Sequence, residues 1–298
     1  MRNVLTLIAD PARVELDSGI VDTARSALER AGARVAGPDW LAPRTACDLP
    51  FAAIGPQAAE AALRQELSRV PIDVVAQRIP SRRKKLLVAD MDATIIMGES
   101  LDELADIAGL KAQVAAITKR SMNGEIDFAT ALGQRLAMLE GLPAAALERA
   151  AERITLTPGA RALVQTMRAT GAYTVLVSGG FRHFTRPVGA AVGFDRDEAN
   201  EFEIVAGRLT GRVKEPILDR DGKLRVLREA AAERRVARAQ ILAVGDGAND
   251  LPMLKAAGLG VAYRAKPAVA AAAKARIEHG DLTALLYIQG YRTEEIQE

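Results

Sequence analysis

The sequence predicts an α/β protein built on a Rossmann-like, doubly wound parallel sheet with a helical insertion, preceded by a small α+β sandwich. Three observations carry this. From residue 86 onward, short apolar runs (KKLLVADMD, YTVLVSGG, QILAVGDG, LGVAYRA) alternate with helical stretches, and strands apolar on both faces belong to parallel sheets covered on both sides. Between the first and second of these runs, residues 98–156 read as helical throughout, including ESLDELADIAGL and FATALGQRLAMLEGL. Residues 1–80 have a different style, with amphipathic elements in the order strand, helix, strand, strand, helix, strand.

Within residues 1–80, Arg2–Ala9 reads as a strand, Ile20–Gly32 as an amphipathic helix, residues 34–53 as two shorter strands, Ala58–Val70 as a helix and Ile72–Arg78 as a strand. The βαββαβ order fits a ferredoxin-like sandwich. It resembles the ACT-type ligand-binding module. That resemblance implies pairing through sheets, hence a homodimer, and ligand binding at the loop after the first strand, here Asp17, Ser18 and Gly19. A stabilising or assembly unit without a ligand fits the same pattern. Trp40 and Cys47 read as packing residues. The basic segment Pro80–Lys85 reads as the linker to a second unit, 81–298.

Composition narrows the function classes. At 298 residues the chain can bury two cores without staples, and its single cysteine cannot form an intramolecular bridge. Only two histidines, His183 and His279, are present, so carboxylates are the candidates for chemistry. Lys plus Arg (40) nearly balance Asp plus Glu (38), and only SRRKK at 81–85 is dense, which argues against a nucleic-acid partner. No apolar stretch approaches the roughly 20 residues of a membrane span. The amino terminus reads as a first strand rather than a leader, and a cytoplasmic location is expected.

The acids fall at strand ends: Asp90 and Asp92 in VADMDAT after one buried run, Asp246 and Asp250 in VGDGAND after another. A buried strand running into carboxylates needs a compensating cation or donors. Carboxylates without cysteine or convergent histidine favour a hard ion such as Mg²⁺. The helical insertion at 98–156 sits where a lid would exclude water from that site.

DMDAT, SGG, a lysine and GDGAND, in this order across residues 86–290, resemble the haloacid dehalogenase superfamily of phosphotransferases. The resemblance implies Asp90 as nucleophile, Asp92 as general acid and base, and Thr94 as a supporting residue. It also implies that Ser178 and the backbone of Gly179 and Gly180 hold phosphate oxygens, and that Lys223 offsets charge. Mg²⁺ would be held by Asp90, the backbone carbonyl of Asp92, and Asp246, with Asp250 orienting the shell and Asn249 near the substrate. An aspartate can accept a phosphoryl group and a second carboxyl can move the proton, so the residue types suit phosphate-ester hydrolysis in two steps.

The insertion suggests the substrate. Glu99 in MDATIIMGES and Arg135 in MNGEIDFATALGQRLAML, with Met122 and Phe128 at apolar lid positions, resemble the phosphoserine phosphatase family. There such a glutamate binds the substrate ammonium and such an arginine its carboxylate. Glu99 also suits a plain helix start, and Arg135 a helix-surface ion pair with Glu140. Arg182 and His183 could line the entrance or simply begin a helix. The resemblance implies hydrolysis of O-phosphoserine, the last step of serine biosynthesis, with serine a candidate ligand of the first unit. The alternatives are another small phosphomonoester, such as a phosphorylated amino alcohol, or a non-catalytic amino-acid sensor. All the motifs lie after Leu86, so a fragment beginning near Arg82 is expected to keep catalysis.

Overall fold

The computed structural model describes residues 1–122 and 125–297; the side chain of Met122, named above as a lid position, lies outside the described residues. The first unit contains β1 (Asn3–Ala9), α1 (Ser18–Arg30), β2 (Arg34–Val35), β3 (Asp39–Ala42), β4 (Ala46–Ala52), α2 (Pro56–Glu66) and β5 (Ile72–Arg78). Its antiparallel sheet runs β2-β4-β1-β5, with β3 also paired to β4. The expected second strand is split in two. Pro38 has no N–H to give a ladder, and Gly37 before it weakens a strand, so pairing stops between Val35 and Asp39.

Strand alternation sorts the two faces of this sheet. Leu5, Leu7, Cys47, Leu49, Phe51 and Val74 pack with Ala24, Leu28 and Leu63 of the two helices, and Trp40 lies at the edge of that core. Burial pushes the Cys47 thiol up to about 12, so it packs as a small apolar group. Asp17, in the loop expected to take a ligand, caps α1: its Oδ1 accepts the Ile20 N–H at 2.8 Å.

The second unit begins with β6 (Leu86–Asp90), followed by a helical cap of α3 (Ser100–Ile107), α4 (Lys111–Met122), α5 (Phe128–Ala137) and α6 (Ala145–Ala151). Then come α7 (Ala160–Ala169), β7 (Tyr173–Phe181), α8 (Arg182–Val192), β8 (Arg196–Asn200), β9 (Phe202–Val205), β10 (Arg208–Val213) and α9 (Arg220–Glu233). The chain closes with β11 (Ile241–Gly245), α10 (Leu251–Ala256), β12 (Leu259–Tyr263), α11 (Pro267–Ala272), β13 (Ala275–Ile277) and α12 (Ala284–Tyr287). The sheet is parallel with order β13-β12-β11-β6-β7-β8. After β6 the chain builds outward on one side, then returns for β11 on the other. The crevice at the carboxyl ends of β6 and β11 is therefore the switch point where such sheets bind ligands.

The sequence reading does not single out β8, the β9–β10 hairpin or the short edge strand β13. β8 (RDEAN) is polar because it is an edge strand, where charge discourages further pairing. The β9–β10 hairpin reaches the cap and is stitched to it by backbone bonds: Gly141 N–H to Leu209 O (2.8 Å), Leu209 N–H to Leu142 O (3.0 Å) and Ala144 N–H to Gly207 O (2.9 Å). Gly211, at φ 74°, lets the hairpin lie against α5; an added Cβ would sit 3.2 Å from Ala137 Cα and Leu136 O.

The segment read as a linker is a joint. Arg82 bonds both carboxylate oxygens of Asp48 (2.5 and 2.7 Å), Thr6 Oγ1 (2.8 Å) and the carbonyls of Ile288 (2.8 Å) and Tyr287 (3.1 Å). Asp73 accepts the backbone N–H groups of Glu278 (2.7 Å) and Gly280 (2.8 Å). Around these bonds Ile8, Ala46 and Val75 share one core cluster with Leu285 and Ile288. The sheet face away from α1 and α2 is thus covered by the second unit. No described helix is long and apolar enough to cross a membrane.

Candidate active site

β6 delivers Asp90 to the crevice because all five of its residues are buried between the helical layers, leaving the strand's end as the first polar position. Asp90 and Asp92 both have extended backbone, while Ala93 between Asp92 and Thr94 takes φ 52°. That kink turns the chain back toward the cap, and Ala93 N–H reaches Gly98 O at 2.8 Å. Lys223, 1% exposed on α9, donates from Nζ to Asp90 Oδ1 (2.6 Å) and Asp250 Oδ1 (2.7 Å). Asp250 Oδ2 accepts Gly247 N–H at 3.0 Å, so both of its oxygens are used. Both bonds to Asp90 fall on Oδ1, from Lys223 and from Met91 N–H at 2.8 Å. Its Oδ2 has no protein donor among the described residues.

Asp246 completes an acidic group: oxygens of Asp90, Asp246 and Asp250 lie within 4.8 Å of one another. The three carboxylates crowd around the buried ammonium of Lys223, and the excess of negative charge is what a divalent cation would offset. The energetics agree. Burial and then the Asp250 charge raise the Asp90 carboxyl well above the usual range, against the opposing effect of Lys223. The same two causes push Asp246 up to about 6. For Lys223, burial works against its charge, but the Asp250 and Asp90 carboxylates outweigh it and raise the ammonium above its ordinary value. Among the described residues the donors grouped here are carboxylate oxygens, a set that suits a hard ion such as Mg²⁺.

Asp92 is held from two sides. Its Oδ1 accepts the backbone N–H of Ser100, the first residue of the cap helix α3, at 2.7 Å, and its Oδ2 accepts Ser178 Oγ at 2.9 Å. Ser178 Oγ in turn accepts Gly180 N–H at 2.8 Å. Both following positions are tightly packed. A Cβ on Gly180 would stand 3.0 Å from Ser178 Oγ and 3.1 Å from Asp92 Oδ2, and one on Gly179 would stand 3.1 Å from Phe128 Cζ. Phe128, the first residue of α5, therefore rests the cap directly on the SGG loop.

Glu99 precedes α3 without spending its side chain on a cap bond. Burial, then the charges of Asp92 and Asp246, push it up to about 8, and Arg135 opposes this. Burial lowers the Arg135 guanidinium, countered by Glu99, Asp102 and Asp92. Glu99 and Arg135, distant in sequence, thus feel each other and the carboxylates of the crevice. Arg135 makes no ion pair with Glu140 among the described residues; its Nε donates to Ala131 O at 3.3 Å. Thr94 is fully buried with its hydroxyl unpartnered, and Asn249 is half-buried in the turn before α10. Arg182 pairs with Glu198 at 2.8 Å, and His183 lies 3.7 Å from Glu148.

Sequence reading passed over Asn200 at the end of β8. It is 3% exposed and its carboxamide bonds Gly179 O, Leu218 O and Leu218 N–H. Nothing in RDEAN distinguishes it from an ordinary polar edge residue.

The raised Glu99 yields a pH prediction. An acid whose folded value lies above its unfolded one binds more protons in the native state, so its contribution to stability falls as pH rises from about 4.5 to about 8. Glu99→Gln is expected to melt higher than the parent protein at pH 8.5, with the gain shrinking toward pH 5, in thermal scans without substrate or divalent ions. A gain independent of pH would mean that the charge of Glu99 is not the cause.

A carboxylate closing the central strand of a doubly wound sheet, paired to a buried lysine beside an acidic cluster and roofed by a helical cap, defines a haloacid dehalogenase-like hydrolase. The family model of that name matches residues 87–255. The chain is 43% identical over 251 residues to a phosphoserine phosphatase of Mycobacterium tuberculosis, covering 84% of this chain and 61% of that protein. It is 38% identical over 300 residues to a phosphoserine phosphatase of Streptomyces coelicolor, covering 99% of this chain and 72% of that protein. The fold is shared with a crystal structure of a HAD family hydrolase from Salmonella enterica serovar Typhi, with TM-score 0.84, 29% identity and coverage of 97% of this chain and 99% of that one. The chain belongs to the phosphoserine phosphatase family of the haloacid dehalogenase-like hydrolases.

Proposed function

We propose that this chain is a Mg²⁺-dependent phosphatase that hydrolyses O-phosphoserine to serine and phosphate, the last step of serine biosynthesis. The observation that carries the substrate assignment is the placement of Glu99 and Arg135, one acid and one base of the cap, in the electrostatic field of Asp92. An amino-acid head group brings an ammonium and a carboxylate, and these two side chains complement them while the phosphate faces Asp90. The relatives named phosphoserine phosphatases support the same reading.

In the proposed reaction the free Oδ2 of Asp90 attacks phosphorus, and the bond to the serine oxygen breaks as Asp92 gives that oxygen a proton. Ser178 Oγ and the amides of Gly179 and Gly180 receive the phosphoryl oxygens, and Lys223 offsets charge on the nucleophile. Water then attacks the aspartyl-phosphate, Asp92 takes its proton, and phosphate leaves with Asp90 restored. Mg²⁺, when bound by Asp90, the Asp92 carbonyl and Asp246 with Asp250 orienting the shell, supplies charge neutralisation. Asn249 would meet the substrate beside that shell. Phe128 and the cap exclude water while the site is loaded.

Residues 1–80 are proposed as an ACT-like regulatory or assembly unit of a cytoplasmic enzyme, with serine as a candidate ligand and a homodimer as a candidate assembly. Its closest tie to the chemistry is indirect, through the Arg82 joint.

Phosphate release across small phosphomonoesters, with and without Mg²⁺, tests the assignment. Phosphoserine is expected to be the preferred ester. Equal turnover of phosphoethanolamine would overturn the substrate, and no Mg²⁺-dependent release from any ester would overturn the reaction. Arg135→Ala is expected to raise KM for phosphoserine about 10- to 100-fold, the worth of a lost charge-assisted hydrogen bond. KM for phosphoethanolamine, which has no carboxylate, should change by less than about threefold.

A further inference from the structure

We propose that Asn200 is a positioning residue that fixes the SGG loop relative to Lys223, and so sets the spacing between the proton-transfer and nucleophile arms of the site. Its orientation is determined by its partners. Oδ1 accepts Leu218 N–H at 2.6 Å, while Nδ2 donates to Gly179 O at 2.9 Å and Leu218 O at 3.2 Å. The flipped amide would set N–H against N–H and oxygen against two carbonyls.

Each side of this carboxamide leads to a reacting group. Gly179 O shares a peptide plane with Gly180 N–H, which bonds Ser178 Oγ at 2.8 Å, and that hydroxyl bonds Asp92 at 2.9 Å. On the other side, Leu218 precedes Asp219, whose Oδ1 caps α9 through the amides of Asp221 (3.0 Å) and Gly222 (2.9 Å). Lys223 sits in the first turn of that helix, with its N–H on Asp219 O at 2.9 Å and its ammonium on Asp90. The loop and the helix start come from separate parts of the chain, and Asn200 bonds both. A buried carboxamide that bonds through both its nitrogen and its oxygen holds such a junction rigid.

The inference rests on the proposed reaction for its kinetic readout only. Asn200→Asp keeps the size and the acceptor for Leu218 N–H but, when ionised, aims an acceptor at two carbonyl oxygens. At pH 8 kcat for phosphoserine is expected to fall on the order of 10²-fold, with KM within about threefold, as for a small misplacement of reacting groups. As pH is lowered toward 5.5 the introduced carboxyl protonates and regains a donor, so activity relative to the parent protein should recover about tenfold. Asn200→Leu, which has no donor, should show the loss without the recovery.

Amide hydrogen exchange at Gly180 supplies a readout independent of turnover. It should quicken at least about tenfold in Asn200→Asp at pH 8, because the peptide plane is released. Unchanged exchange, or kcat within twofold of the parent at every pH, would overturn the positioning role. If the parent protein hydrolyses no ester but exchange quickens as expected, the functional reading fails and the positioning role stands.

Discussion

Asp90→Asn is expected to abolish turnover while leaving the fold intact. The amide can still accept from Met91 N–H and from Lys223, the two bonds that hold Asp90 Oδ1, so the end of β6 should stay in place. It cannot form an acyl-phosphate, and loss of an attacking group of this kind costs on the order of 10⁴-fold or more in kcat. The amide also removes one charge from the acidic cluster, so the rise in melting temperature produced by Mg²⁺ should shrink sharply. Steady-state phosphate release and thermal scans with and without Mg²⁺ check both effects. Substantial residual turnover with an unchanged response to Mg²⁺ would remove Asp90 from the nucleophile role.

The largest effect on stability is expected at Lys223→Met. The new side chain is unbranched like the old one, one heavy atom shorter and uncharged, so Asp90 and Asp250 lose the ammonium that bridges them while Asp246 stays close by. Removing one partner of a buried charge cluster costs about 3–5 kcal/mol. The pH dependence follows from the raised acids. Native Asp90 and Asp246 hold protons to higher pH than the unfolded chain does, so protonation favours the native state and the deficit should narrow as pH falls from 8 toward 5. Mg²⁺ should recover part of the loss by restoring positive charge. Chemical denaturation at the two pH values, with and without Mg²⁺, measures this. A deficit that ignores both pH and Mg²⁺ would mean that Lys223 matters for packing alone.

The parts of the fold legible in the sequence were those with a strong hydrophobic signal. β6, β7, β11 and β12 are buried on both faces, and their apolar runs announce a covered parallel sheet. β8 and the β9–β10 hairpin were not legible, because an edge strand and an exposed hairpin need no apolar pattern, and Val205 is even left largely exposed. Acids at strand ends were readable because burial makes a carboxylate there expensive without a partner. Asn200 was not, since its three bonds go to backbone groups that only the folded chain assembles. At Asp17 the fold adds a helix cap, a local role that the family pattern does not mention for that loop.

The joint between the two units has a thermodynamic consequence. Ile8 and Val75 belong to the same oil-filled seam as Leu285 and Ile288, and Arg82 and Asp73 spend their charges on groups across it. Parting the units would wet that seam and strand buried ions, so in the full chain the two halves are expected to melt together. Heat should dissolve the chain in one step, and a molecule that binds only the first eighty residues would protect the distant carboxylates from denaturation as much as it protects its own half, and more so the further its concentration exceeds its Kd.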